Sequence, residues 1–174
     1  MKRFALLALI LAATPVAADT AHQGQHSPYA GQEARDIKAL SPEEIADLDA
    51  GRGMGLALAA ELNGYPGPRH VLDLAQELRL TAEQQHRTGE MFEAMRQETS
   101  ALGAQVIEAE RALDLLFVEK QATPDTVAAA TGQAGAIGAK LRAAHLRYHL
   151  AMIEVLTAEQ VAAYNHLRGY ATHH

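Results

Sequence analysis

TAEQQHRTGEMFEAMRQETSALGAQVIEAERALDLLFVEK, residues 81–120, followed by QATPDTVAAATGQAGAIGAKLRAAHLRYHLAM, residues 121–152, is the stretch whose reading decides the fold. In the first segment Met91, Met95, Leu102, Val106, Ala109, Leu113 and Leu116 recur at steps of three, four or seven, which is one face of an α-helix. Thr81-Ala82-Glu83-Gln84 is a capping box, so the helix starts there and runs to about Lys120. About forty helical residues span about 60 Å. Thr123-Pro124 is a stop and restart, with Thr as the cap and Pro at the first helical position. The second segment then places Val127, Ala130, Ala134, Ile137, Leu141, Ala144, Tyr148 and Met152 on one face. Two long amphipathic helices joined by so few residues fold back as an antiparallel hairpin, and the small residues of the second permit close approach.

Outward from the hairpin, Leu156-Thr157-Ala158-Glu159-Gln160 starts one more helix, in which Val161, Ala162, Tyr164, Leu167 and Tyr170 continue an apolar face. Upstream, Asn63-Gly64-Tyr65-Pro66-Gly67-Pro68 is a turn, and a short helix with Val71, Leu74, Ala75 and Leu78 on one face follows it. Ser41-Pro42-Glu43-Glu44 caps a first helix running toward Leu62, with a kink or close helix contact at Gly51-Arg52-Gly53-Met54-Gly55. That glycine cluster is not a phosphate loop, because no strand pattern precedes it and no Lys-Ser/Thr follows. No segment reads as a strand, and the expected fold is all-α. Residues 41–170 form a single helical domain between a flexible segment, 19–40, and a short tail, 171–174.

Lys2 and Arg3 precede an apolar run from Phe4 to Ala13 and the small residues Val16 and Ala18, which reads as a secretory signal peptide, residues 1–18, cut after Ala18. An apolar run of about ten residues is too short to anchor the chain, since a spanning helix needs about 20. The expected location is the periplasm. Without the leader the chain keeps 13 basic against 21 acidic residues, a net charge of −8. Such a balance disfavours nucleic acid and anionic lipid as partners and favours cations or basic protein segments. The absence of cysteine removes thiolate metal sites and thiol catalysis, so any metal site rests on His, Met and carboxylates and suits divalent Zn, Ni, Co or Cu. No activated nucleophile surrounds Ser27, Ser41 or Ser100, and the chain does not read as an enzyme.

Leu80-Thr81-Ala82-Glu83-Gln84 and Leu156-Thr157-Ala158-Glu159-Gln160 are the same pentapeptide, each directly before an amphipathic helix. Two copies of Leu-Thr-x-x-Gln in an exported helical chain of this size resemble the Spy/CpxP family of periplasmic proteins, over about Pro68 to Tyr170. The resemblance implies a long helical hairpin that dimerises into a thin, curved cradle. It implies one of several roles: ATP-independent chaperone, envelope-stress inhibitor, or heavy-metal sensor or zinc-binding protein of the CnrX and ZraP kind. The chaperone members resemble a basic cradle, from which this acidic chain departs.

His145 and His149 lie four apart and project from one side of their helix, the spacing that lets two imidazoles bind one ion. A hairpin folded about residue 122 sets His149 opposite Met95 and His145 near Glu98, with Met91 one turn away. The candidate metal site is therefore His145, His149, Glu98 and Met95; the alternative is that both imidazoles only pack beside the apolar stripe. His22 and His26 share the spacing in the flexible segment and are weaker candidates; His173 and His174 read either as an addition to them or as an ordinary frayed end. His70, His86 and His166 read as isolated.

The leading function is a periplasmic metal-responsive accessory protein that binds or senses a divalent heavy metal. The rivals are a Spy-like chaperone that holds unfolded proteins, and a docking or regulatory partner of a membrane signalling or efflux system. A homodimer is expected in each case, because a two-helix hairpin leaves an apolar stripe uncovered.

Overall fold

The structure, a computed structural model, describes residues 27–170. The leader and the histidines at 22, 26, 173 and 174 lie outside the described residues. Ser27–Ala30 is a turn by itself, closed by the Ala30 N–H on Ser27 O at 2.9 Å. From Gly31 on, the described chain is helical, with no strand: α1 Pro42–Asp49, α2 Leu58–Glu61, α3 Pro68–Asp73, α4 Ala82–Val118, α5 Pro124–Met152 and α6 Ala158–Leu167. Ser41, Thr81, Thr123 and Thr157 each cap a helix through a reciprocal box, in which the hydroxyl accepts from the third residue's N–H and that residue's side chain accepts from the cap's own N–H.

Helices α4 and α5 pack along each other as the expected hairpin, and α1 and α3 lie against α4. One apolar cluster gathers Val71, Leu78, Leu80, Met152, Val155, Leu156 and Tyr164 at the open end of the hairpin, with Met91 against it. A second gathers Ile37, Leu48, Ile107 and Leu141 further along. Between them α1 crosses α4 at very close range: a Cβ on Gly103 would overlap the carbonyl of Leu48. Beyond Asp114, which pairs with Lys38 at 3.7 Å, the hairpin tip leaves Leu115, Phe117 and Val118 exposed.

Three expectations are corrected. The first helix does not reach Leu62: it stops at Asp49, because the glycines that follow are poor helix formers and α4 hydroxyls take up the freed carbonyls. Ser100 Oγ donates to Asp49 O at 2.5 Å and Thr99 Oγ1 to Gly51 O at 3.1 Å. The short third helix ends at Asp73 and continues as turns to Arg79. In the segment read as flexible, Gln32–Ala34 is a turn of 3-10 helix and Ile37 has no exposed surface, being the apolar residue that α1 and α4 need to close the second cluster.

The repeated pentapeptides meet at the open end of the hairpin. Gln84 and Gln160, the third residues of α4 and α6, exchange amide hydrogen bonds. Gln84 Nε2 donates to Gln160 Oε1 at 2.8 Å, and Gln160 Nε2 donates to Gln84 Oε1 at 3.0 Å. The second proton of each amide goes to the other motif's approach, at Val155 O (2.9 Å) and Leu78 O (3.2 Å). Each Oε1 also accepts the N–H of its own cap, Thr81 or Thr157. With Leu80 and Leu156 buried beside it, the motif is a lock between two helix starts.

Candidate metal centre

His145 and His149 fall on the buried side of α5, between Leu141 and Met152, and are 2% and 7% exposed. What covers them is the non-periodic chain between α1 and α3. Tyr65 closes the end of α2 with its N–H on Ala60 O at 3.1 Å, which fixes its own carbonyl toward α5. That carbonyl lies 2.7 Å from His149 Nδ1. An Nδ1–H donated there puts the lone pair on Nε2, the arrangement found in metal-ligating histidines held by a backbone carbonyl. Gly67 gives the ring its room, since a Cβ there would stand 2.8 Å from His149 Cε1 and 2.9 Å from Nε2.

His145 is held differently. Its Nε2 is buried and has no hydrogen-bond partner among the described residues. Burial, and then the neighbouring His149, push its pKa below the ordinary imidazole value, so it stays neutral with its lone pair available. The carboxylate that shares the cavity with it is not Glu98 but Glu61, the last residue of α2, 6% exposed. Its Oε1 accepts from Tyr164 Oη and, at 3.0 Å, from Tyr170 Oη, with His70 Nδ1 at 3.4 Å and Arg168 Nε at 3.5 Å. Its Oε2 is buried without a hydrogen bond among the described residues, 3.7 Å from His149 Nδ1. Burial pushes the Glu61 pKa up, but the hydrogen bonds from His70, Tyr164 and Tyr170 outweigh it and leave the carboxyl at about 2. The same pairing and burial drive the Tyr164 phenol strongly upward.

Of the expected set, His145, His149 and Met95 line one cavity of about 600 Å³ together with Glu61, Met54 and Phe92. Glu98 is not on that wall. The register is within two residues of that expected, since Glu98 meets Arg147 and, at 3.1 Å, Tyr148 Oη. Arg147, exposed and two residues from each imidazole, is on the far side of α5 from them, and its hydrogen bond holds the Glu98 carboxyl below its usual range. Met91 belongs to the apolar cluster.

The donor set has the chemistry of a divalent-metal site: two imidazoles, one ionised carboxylate and a thioether, two of them with orphaned buried atoms. As the side chains lie, no three His, Asp or Glu groups among the described residues converge to hold an ion. Glu61 and His70 were missed by the periodic reading. A signal was present, because Glu61 is the one charged residue between Arg52 and Arg69.

Comparison with characterised proteins and with solved structures finds no match to this chain. A protein-family comparison does: residues 53–163 match the heavy-metal resistance family, which is related to the Spy/CpxP and CnrX-like proteins. The matched span begins in the glycine segment that walls the cavity and ends beside Tyr164, and it contains both imidazoles and Glu61. With well over half of its length matched, this chain belongs to the heavy-metal resistance family.

Proposed function

We propose that the protein is a non-catalytic periplasmic accessory protein that binds a divalent heavy-metal ion in this cavity, through His145, His149 and Glu61, with Met95 as a soft fourth donor. The observation that carries the reading is the pair of orphaned atoms, His145 Nε2 and Glu61 Oε2, in a chain whose family concerns heavy metals. A buried polar atom without a partner costs free energy, and a cation removes that cost for both atoms. Bound metal supplies positive charge to two lone pairs and one carboxylate. The chain's own part is to keep His145 neutral by burial and to orient His149 through Tyr65 O.

Calorimetry with Zn, Ni, Co and Cu(II) tests this. About one ion per chain is expected, weakening as pH falls through imidazole protonation, because protons and metal compete for the same lone pairs. His145→Ala with His149→Ala, and separately Glu61→Gln, abolish tight binding, whereas Glu98→Gln leaves it intact. If the His double variant binds as well as the parent, the cavity is not the site.

A holdase reading has its own observation, the exposed Leu115, Phe117 and Val118 at the hairpin tip. It requires suppression of client aggregation without ATP, lost on replacing those residues by Ser. A homodimer would cover such surface, and a monomer by small-angle scattering at micromolar concentration rules it out.

A further inference from the structure

The cavity is much larger than a metal ion needs, and apart from Glu61 its charged lining is basic. Arg52, Arg69, Arg96 and Arg168 line it with three histidines, against the single carboxylate of Glu61, in a chain whose net charge is −6. The arginines divide into two sets. Arg168 stays with Glu61 and stacks on Tyr170. Arg52, Arg69 and Arg96 line the same cavity as Phe92: Arg69 lies 5.7 Å over its ring, Arg96 is one turn along α4, and Arg52 follows Gly51, whose backbone lies against the Arg96 carbonyl.

Each of these three has one carboxylate partner outside the cavity. Arg52 binds Asp47 through Nη1, Arg69 binds Asp73 through Nε at 3.0 Å, and Arg96 binds Glu93 through Nε and Nη2, the latter at 2.9 Å. These pairs are half exposed or more on the arginine side and contribute little, so a ligand competes with them cheaply. A guanidinium has five N–H donors, and each of the three keeps some that bond nothing among the described residues. Beside them the wall is apolar, formed by Phe92, Met95, Met54 and Leu58. A cavity of this volume, mostly apolar with a few converging charged donors, is the ordinary form of a small-molecule site.

We propose that the cavity is an organic-anion site: it takes a small molecule with one carboxylate on an apolar or aromatic body, the carboxylate among Arg52, Arg69 and Arg96 and the body against Phe92 and Met95. The guanidinium forks match the planar carboxylate, and the ring and thioether match the body. The site does not depend on metal binding at the Glu61 end.

The test uses the metal-free protein and the fluorescent probe 1-naphthoate; the chain has no tryptophan to interfere. Micromolar binding is expected, about tenfold or more tighter than that of the uncharged isostere 1-naphthylmethanol. Arg52→Gln with Arg96→Gln weakens naphthoate by about tenfold and leaves naphthylmethanol unchanged. Arg69→Gln alone acts in the same direction, which keeps the result readable if the double variant loses helicity. Arg111→Gln, whose side chain is not on the cavity wall, has no effect. The proposal is overturned by no binding up to about 1 mM, by equal binding of the two probes, or by an equal loss in the Arg111 variant. Because no metal is present, each of these outcomes is separate from the calorimetry on the histidine variants.

Discussion

Gln84 and Gln160, 76 residues apart, each use both amide protons and the amide oxygen on the other's helix start and on their own cap. Every donor and acceptor of the two side chains is satisfied, which is the condition under which a part-buried polar pair stabilises instead of costing. The duplicated pentapeptide therefore serves architecture: it ties the start of α4 to the start of α6 and so sets where Tyr164 and Tyr170 arrive at Glu61.

Gln84→Ala strands the Gln160 amide and the Val155 carbonyl, so it should cost about 2–3 kcal/mol in urea unfolding. Gln160→Ala should cost a similar amount. The double variant should cost less than the two together by about 1 kcal/mol, since the second truncation removes a partner already lost. Strict additivity would show that the pair does not act as one unit.

Gly67→Ala forces a methyl against the His149 ring. Metal affinity should drop by about tenfold or more, with a stability loss of about 1–3 kcal/mol from overpacking. Gly53→Ala makes a fair comparison, because nothing stands within 4 Å of its Cβ and it too lies on the cavity wall. Equal metal affinity in the two variants would remove Gly67 from the site.

Two glycines of α4 should respond oppositely to alanine. Gly103→Ala drives a methyl into the Leu48 carbonyl and should cost about 2–3 kcal/mol. Gly89→Ala meets open space in the same helix and should stabilise by up to about 1 kcal/mol. Thermal unfolding of the pair reads both signs, and a stabilised Gly103 variant would contradict the close crossing of α1.

Glu61 makes acid stability specific. Its folded pKa of about 2 lies below the ordinary glutamate value of 4.5, so between those values the unfolded chain binds more protons than the native one. The contribution is complete above the higher value and is lost as pH falls through the lower. A shift of that size corresponds to about 3 kcal/mol. In metal-free protein, Glu61→Gln should flatten the stability profile between about pH 5 and 2; an unchanged profile would mean that other carboxylates carry the acid transition.

The sequence made the hairpin legible through periodicity and capping, and its register to within two residues: Glu98 meets Arg147 and Tyr148, where a fold about residue 122 sets it opposite residue 146. It did not reveal which side of α5 the site occupies. Register follows from counting along two helices, whereas the side is decided by what covers His145 and His149, and that cover is the aperiodic chain from Ala50 to Gly67. Glu61 was hidden for the same reason, standing at the end of a four-residue helix with no pattern of its own. Ile37 shows a related limit, because one buried residue in a polar stretch has no period to detect.

The outer hairpin has a further consequence. Past the Lys38–Asp114 pair, α4 and α5 have only each other among the described residues, while nearer the open end they are covered by α1, α2 and α3. Opening free energies follow the buried apolar contact around each backbone segment. Amide hydrogen exchange should therefore quicken along α4 from Thr99 to Val118, and along α5 from Ala144 back to Pro124, so that one continuous helix carries a graded series of lifetimes from its clamped base to its fraying tip.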